Sequence, residues 1–251
     1  MNSVRPSGAL KAQARDHLTG HYATAISALL LIQCIVFLST TISTGFADTT
    51  TLTGMILSLL ISFILQLLAG IFTVGQTQLF FHIACRQTPK INDIFSGFKN
   101  HPDKAILIQF VLLLTGILPM TPFLILLFFY QKGQNMYLIP FLALTFVIGL
   151  ILSCYLYLSF ALLYYLMLDF PHYSVKELLL ASNAFMKGHR AKLFYLQVSF
   201  LPLHFSALLT CGIGLLWVIP YQNTTLLFFY LDLVRTIDPN PDTGIFVNES
   251  C

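Results

Sequence analysis

The sequence predicts an all-α, polytopic membrane protein of six transmembrane helices, arranged as three degenerate units that each join an amphipathic surface helix to a helical hairpin. Three observations predict it. Hydrophobic residues make up 57% of the chain and charged residues only 9%, far from the roughly 25% charged content of a soluble domain. Crossing a hydrocarbon core about 30 Å thick takes roughly 20 apolar residues, and uncharged runs of that order lie at 22–46, 54–84, 105–130, 137–168, 193–211 and 212–231. A short amphipathic stretch precedes the first, third and fifth runs. Together these define a single membrane domain at 9–235 (units 9–84, 88–168 and 174–235), after a flexible 1–8 and before a disordered cytoplasmic tail at 236–251.

The basic residues orient this plan. Arg5, Lys11 and Arg15 precede the first run, and Arg86, Lys90, Lys99 and Lys104 lie between the second and third. Lys176, Lys187, Arg190 and Lys192 lie between the fourth and fifth, and Arg235 follows the sixth, leaving Lys132 alone on the other side out of 13. The positive-inside rule then predicts a multi-pass protein of the cell membrane with both termini cytoplasmic. The same charges suit an anionic inner leaflet, although orientation alone explains them equally well.

Each element has a local reason. Leu10, Ala14 and Leu18 form one helical stripe apart from Lys11, Arg15 and Asp16, and Gly20 is the residue that ends the helix. The 54–84 run exceeds what a membrane core needs, so its polar end (Gln76, Gln78, His82) projects beyond the membrane or packs on other segments at that face. Thr88-Pro89 is a helix-start signal, and Ile91, Ile94, Phe95 and Phe98 follow at helical spacing, stopped by Gly97 and the Asn100-His101-Pro102 turn. Gly116, Pro119 and Pro122 predict a kinked or partly unwound outer half of the third span. Ser174 and Glu177 have capping-box spacing, and Val175, Leu178, Leu179, Ser182 and Met186 continue a stripe to Gly188. Pro202 interrupts the fifth span and Pro220 the sixth, with a turn at Gly212 and Gly214 between them. The candidate lipid- or partner-facing residues are therefore Ile91, Ile94, Phe95, Phe98, Leu178, Leu179 and Met186.

Little in the chain points to catalysis. No Asp, Glu, Lys or Arg falls inside a predicted span, which counts against a charge-dependent pump, channel or proton-coupled carrier. Gln109, Gln197, His204, Gln222 and Asn223 are the candidate intramembrane polar site. They line a substrate path or hydrogen-bond between helices as structural glue. His204, two residues after Pro202, satisfies a carbonyl freed by the proline or serves a reaction. The other histidines carry no metalloprotease, hydrolase or paired-carboxylate arrangement. The spacing of the five cysteines defines neither a disulfide nor a metal framework. The expectation is no catalytic residue, no metal, no cofactor and no nucleic-acid partner.

Residues 155–233 resemble, in order and spacing, the bacterial integral-membrane family known as domain of unknown function 975. The elements that carry the resemblance are YLYLSFALLYYLML at 155–168, SNAFMKGH at 182–189, LQVSF at 196–200, GIGLLWVIPY at 212–221 and Phe229-Tyr230-Leu231-Asp232. IFSGFK at 94–99 and the amphipathic N-terminal stretch are similar to its other landmarks. The resemblance implies a six-span protein of the bacterial cytoplasmic membrane, mostly of Gram-positive lineages, and no particular reaction. Pro202 and His204 depart from the small or aromatic residues the family shows there.

Two roles follow as expectations. The first is a non-enzymatic membrane protein that organises lipid or binds a membrane-protein partner through its surface helices. The alternative is a permease or export component for a small neutral or amphipathic substrate, built on the proline-broken spans.

Overall fold

The computed structural model describes residues 5–46, 51–133 and 136–237. Among these every regular element is helical. The long elements are α2 (Tyr22–Phe46), α3 (Leu52–Ala84), α4 (Pro102–Gly133), α5 (Ile139–Phe160) and α10 (Leu215–Ile237). Shorter ones are α1 (Ser7–Leu18), α6 (Leu163–Asp169), α7 (Val175–Met186), α8 (Arg190–Val198) and α9 (Leu201–Leu209), with 3-10 segments at Ile91–Phe98 and Met136–Leu138.

The helices pair as the sequence order requires. α2 lies along α3, α4 along α5, and α9 against α10. The three short polar-faced segments close the arrangement: α1 packs on α10, Ile91–Phe98 on α3, and α7 on α5 and α6. Each of them therefore rests on the helix end that precedes it around the bundle, with α10 preceding α1.

Two turns show how the chain enters its helices. Gly20 (φ +92°) follows α1 and Gly188 (φ +84°) follows α7, a left-handed conformation that only glycine adopts without steric cost. The flanking positions correspond residue for residue. Leu10, Ala14 and Leu18 are buried before the first glycine, and Ala25 and Ala28 after it. Leu178, Ser182 and Met186, then Leu193 and Leu196, hold the equivalent buried positions around the second.

Several expectations about the elements are corrected. Residues 91–98 form a 3-10 helix rather than an α-helix. α4 is not unwound at Pro119 and Pro122 but stays helical through both, and α10 runs through Pro220. Pro202 does break its span. A proline has no N–H and its ring collides with the carbonyl four residues back, so α8 stops at Val198 and α9 restarts with Pro202 in its first turn. The run at 137–168 is divided at Ala161-Leu162, where α5 gives way to α6. There the buried Ser182 hydroxyl of α7 donates to the Ser159 carbonyl at 2.8 Å, supplying a partner to one of the carbonyls a helix end leaves over. α1 begins at Ser7, inside the stretch read as flexible. Residues 1–4 and, of the predicted tail, 238–251 lie outside the described residues.

Five segments are long and apolar enough to cross a membrane: Tyr22–Thr41, Thr53–Ala84, Pro102–Gly133, Met136–Asp169 and Arg190–Leu209. The sixth predicted span, α10, is long but does not reach that apolarity, because Gln222, Asn223, Asp232 and Arg235 interrupt it. Its last turns instead enter the protein core, with Leu227, Phe229, Tyr230 and Leu233 almost wholly buried.

Candidate functional site at the basic end of the bundle

The core is concentrated where α1, the Ile91–Phe98 segment, α7 and the ends of α3, α6 and α10 meet. This end carries Arg5, Lys11, Arg86, Lys90, Lys99, Lys104, Lys187 and Arg235, and we refer to it as the basic end.

Its most unusual joint is between Ile91–Phe98 and α3. Gly75 on α3 faces the backbone of Ile94, and Gly97 faces the carbonyl of Ile71. A Cβ at either glycine would overlap those backbone atoms, so only glycine permits the two segments to touch main chain to main chain. Gly97 is thus a close-approach residue within the segment, not its stop. Polar contacts fix the joint at both ends. His82 Nδ1 lies 2.8 Å from Asp93 Oδ2, and Asn100 donates to Gln78 at 3.2 Å. The polar end of α3 is therefore packed against its neighbour.

The same joint decides which of the predicted facing residues are free. Ile94 is fully buried, whereas Ile91, Phe95 and Phe98 are 43–49% exposed. The ring of Phe72 on α3 packs edge-on against Phe98 (5.3 Å) and Phe95 (6.2 Å). The outcome is an exposed aromatic patch flanked by the exposed Lys90 and Lys99.

On α7, Leu178 and Met186 are fully buried and Leu179 partly so. This corrects the outward placement expected of Leu178 and Met186, and of Ile94: the stripes on α1 and α7 pack inward on the bundle. The capping box is formed as its spacing predicts, with the Ser174 hydroxyl accepting from the Glu177 N–H and the Glu177 carboxylate accepting from Ser174. Those hydrogen bonds from Ser174 hold the Glu177 carboxyl below the usual carboxylate range.

Of the predicted intramembrane polar residues, Gln197 and Gln222 come together, and the others bond elsewhere. Gln109 on α4 accepts from the Tyr164 hydroxyl at 2.5 Å, and Gln222 on α10 donates to Gln197 on α8. His204 bonds the Phe200 carbonyl one turn earlier, at 3.0 Å. Asn223 is half-buried on α10. The Gln109–Tyr164 and Gln222–Gln197 bonds each join two helices. Of the predicted turns, Gly212 is left-handed (φ +84°), while Gly214 packs against Ala207 where α9 and α10 approach.

Sequence reasoning missed several residues of the basic end. Lys11 donates to the Ser199 carbonyl at 3.0 Å and lies 4.2 Å above the Phe200 ring, so α1 secures the break before Pro202. Burial lowers the Lys11 pKa from its usual value. Lys104 donates to the carbonyls of Pro171 and Tyr173, fixing the turn into α7. Asp169 accepts from the Tyr230 hydroxyl, beside a stacked Tyr165–Tyr230 pair whose centroids are 5.4 Å apart. Arg5 binds Asp232 through its backbone N–H at 2.6 Å and through Nε at 3.4 Å. No cluster of three metal-ligating side chains occurs among the described residues.

An all-helical chain with five segments able to cross a membrane suggests a multi-pass membrane protein, with its polar contacts gathered at one end. The chain belongs to the family described as protein of unknown function (DUF975), whose sequence profile matches residues 1–236. No curated protein and no solved structure matches it.

Proposed function

We propose that the chain is a non-enzymatic protein of the bacterial cytoplasmic membrane, which holds an inner-leaflet position and organises lipid or a membrane-protein partner there. It crosses the bilayer six times, α10 serving as the sixth span, with both termini cytoplasmic. The exposed patch of Ile91, Phe95 and Phe98 beside Lys90 and Lys99 is the observation that carries this reading. Aromatic rings next to cations are the side chains that suit a membrane–water interface. α3 supports the depth assignment. At about 1.5 Å per residue, the ~20 residues from Leu52 that traverse the hydrocarbon end near Phe72, level with the patch. The three-unit plan is supported by the packing of α1 on α10, Ile91–Phe98 on α3 and α7 on α5 and α6.

The alternative of a permease draws on the break at Pro202. Mutual pairing of Gln109 with Tyr164 and of Gln197 with Gln222 leaves these groups satisfied within the bundle, which favours the organising role.

Fluorescence quenching tests the proposal. In a Trp217→Phe background, Phe98→Trp is reconstituted into vesicles containing lipids brominated near the headgroup or near the chain end. Stronger quenching by the shallow bromines is expected. A fluorophore quenched by neither would refute an inner-leaflet contact for the patch. If solute flux into proteoliposomes exceeded that into empty vesicles, the permease reading would replace this one.

A further inference from the structure

The membrane-crossing part of α3 carries a polar side chain that the bundle does not satisfy. Gln66 lies inside the Thr53–Ala84 segment, about 9 Å short of Phe72 at ~1.5 Å per residue, and so within the hydrocarbon on the depth given to α3 above. It is exposed and makes no hydrogen bond among the described residues. Gln109, Gln197 and Gln222, by contrast, are all paired within the bundle. An amide without a partner in hydrocarbon is costly.

Gln66 borders a groove of about 180 Å³ between α2 and α3, which also holds Ser39, Thr40 and Ser62 and runs inward to Ile35 and Phe72. α2 does not satisfy the amide: the Ser39 and Thr40 hydroxyls donate to the Ile35 and Phe37 carbonyls of their own helix, each at 2.8 Å. Gln33 on α2 is likewise exposed and unbonded, but it lies inward of Ile35, level with Phe72, where headgroups and water reach it. On α3, Met55, Ser62, Gln66 and Ala69 share one stripe at intervals of seven, four and three residues, the heptad spacing by which two helices pack along a seam. Met55 is 50% exposed and Ile64, on the opposite face, 55%. Exposure therefore does not choose a face, and the carboxamide does.

From these observations we infer that α3 is a dimerisation helix: two copies of the chain associate within the membrane along this stripe, with Gln66 hydrogen-bonded to Gln66 of the second copy. A carboxamide carries both a carbonyl acceptor and an NH₂ donor, so it is its own complement across a two-fold axis, which brings the same surface of both copies together. A lipid chain filling the groove would leave the amide unbonded. Membrane helices have no hydrophobic drive to associate, and hydrogen bonds between polar side chains are among the forces that hold them. A lone polar residue on such a seam also fixes its register.

The inference rests on the depth of α3 in the proposed reading, which the quenching of Phe98→Trp tests by itself; association is tested separately. Full-length protein in a cysteine-free background is reconstituted into phosphatidylcholine vesicles at a series of lipid-to-protein ratios. Ser62→Cys retains Gln66 and lies on the seam, so it is expected to give an oxidatively crosslinked dimer, whereas Ile64→Cys is expected to give none. Adding Gln66→Leu to Ser62→Cys should weaken association about tenfold, read as the lipid dilution at which half the crosslink is lost, and Gln66→Asn should retain most of it. Energy transfer between copies labelled at Lys132→Cys reads the same equilibrium without a crosslink. The inference is overturned if the protein is monomeric even at the lowest dilution, if Ile64→Cys crosslinks as readily as Ser62→Cys, or if Gln66→Leu associates as strongly as Gln66 does. The first of these results would give the face to lipid or to a helix of another protein.

Discussion

The two ends of the bundle are built on different principles. At the basic end Leu10, Ile83, Leu163, Leu178 and Tyr230 are all but inaccessible, and side-chain hydrogen bonds join segments far apart in sequence. At the other end Leu59 is 68% exposed and Leu209 88%, and the side-chain hydrogen bonds of Thr115, Thr121 and Thr145 return to carbonyls three or four residues earlier. The difference follows from the solvent each end requires. In water, apolar surface is driven together and polar groups are free to link segments. In lipid no such drive exists between apolar helices, which expose their side chains and satisfy their polar groups locally.

Substitutions that treat the ends differently are the way to break this contrast. Leu178→Ala, which empties a fully buried site, is expected to cost about 2–5 kcal/mol in denaturant titrations of the solubilised protein. On the same helix Leu180 is 71% exposed, and Leu180→Ala should stay within about 0.5 kcal/mol of wild type. Equal effects at the two positions would mean that α7 does not pack as described. Leu59→Asp should raise the cost of membrane insertion by about 2.5–3.5 kcal/mol, read in a glycosylation-based insertion assay, whereas Leu180→Asp should leave insertion unaltered. Gly75→Ala places a methyl against the Ile94 backbone and should destabilise the Ile91–Phe98 joint by about 1–3 kcal/mol, seen as faster amide exchange in that segment.

Smaller effects sharpen the picture at the mouth of α7. Ser174→Ala removes the N-cap and should cost about 0.5–2 kcal/mol. The pH dependence has a definite sign. Because the Glu177 pKa is lowered in the folded protein, its contribution is complete above the unfolded-state pKa and is lost as pH falls through the folded value. Amide exchange in the first turn of α7 should therefore become less protected in acid in wild type, and Ser174→Ala should flatten that dependence.

How much of this was legible in the sequence depended on whether the cause was local. Ser174 and Glu177, Pro202, Gly20 and Gly188 act within one turn, and each has the structural effect its chemistry predicts. The stripes of α1 and α7 were visible as stripes, but periodicity does not say whether a stripe meets lipid or protein, and both meet protein. Gly75 looks like any other glycine in an apolar run, because the Ile94 backbone that requires it lies 19 residues away in sequence. Pro119, Pro122 and Pro220 carry the chemistry that breaks a helix at Pro202, yet α4 and α10 continue through them.

The account depends on the packed, basic end being the cytoplasmic one, and cysteine accessibility tests that most directly. In a cysteine-free background, Lys99→Cys, Lys187→Cys and Lys132→Cys are treated on intact cells with a membrane-impermeant maleimide. Labelling of Lys132→Cys alone is predicted, with the other two reacting only after permeabilisation. Labelling of Lys99→Cys or Lys187→Cys from outside would contradict the orientation.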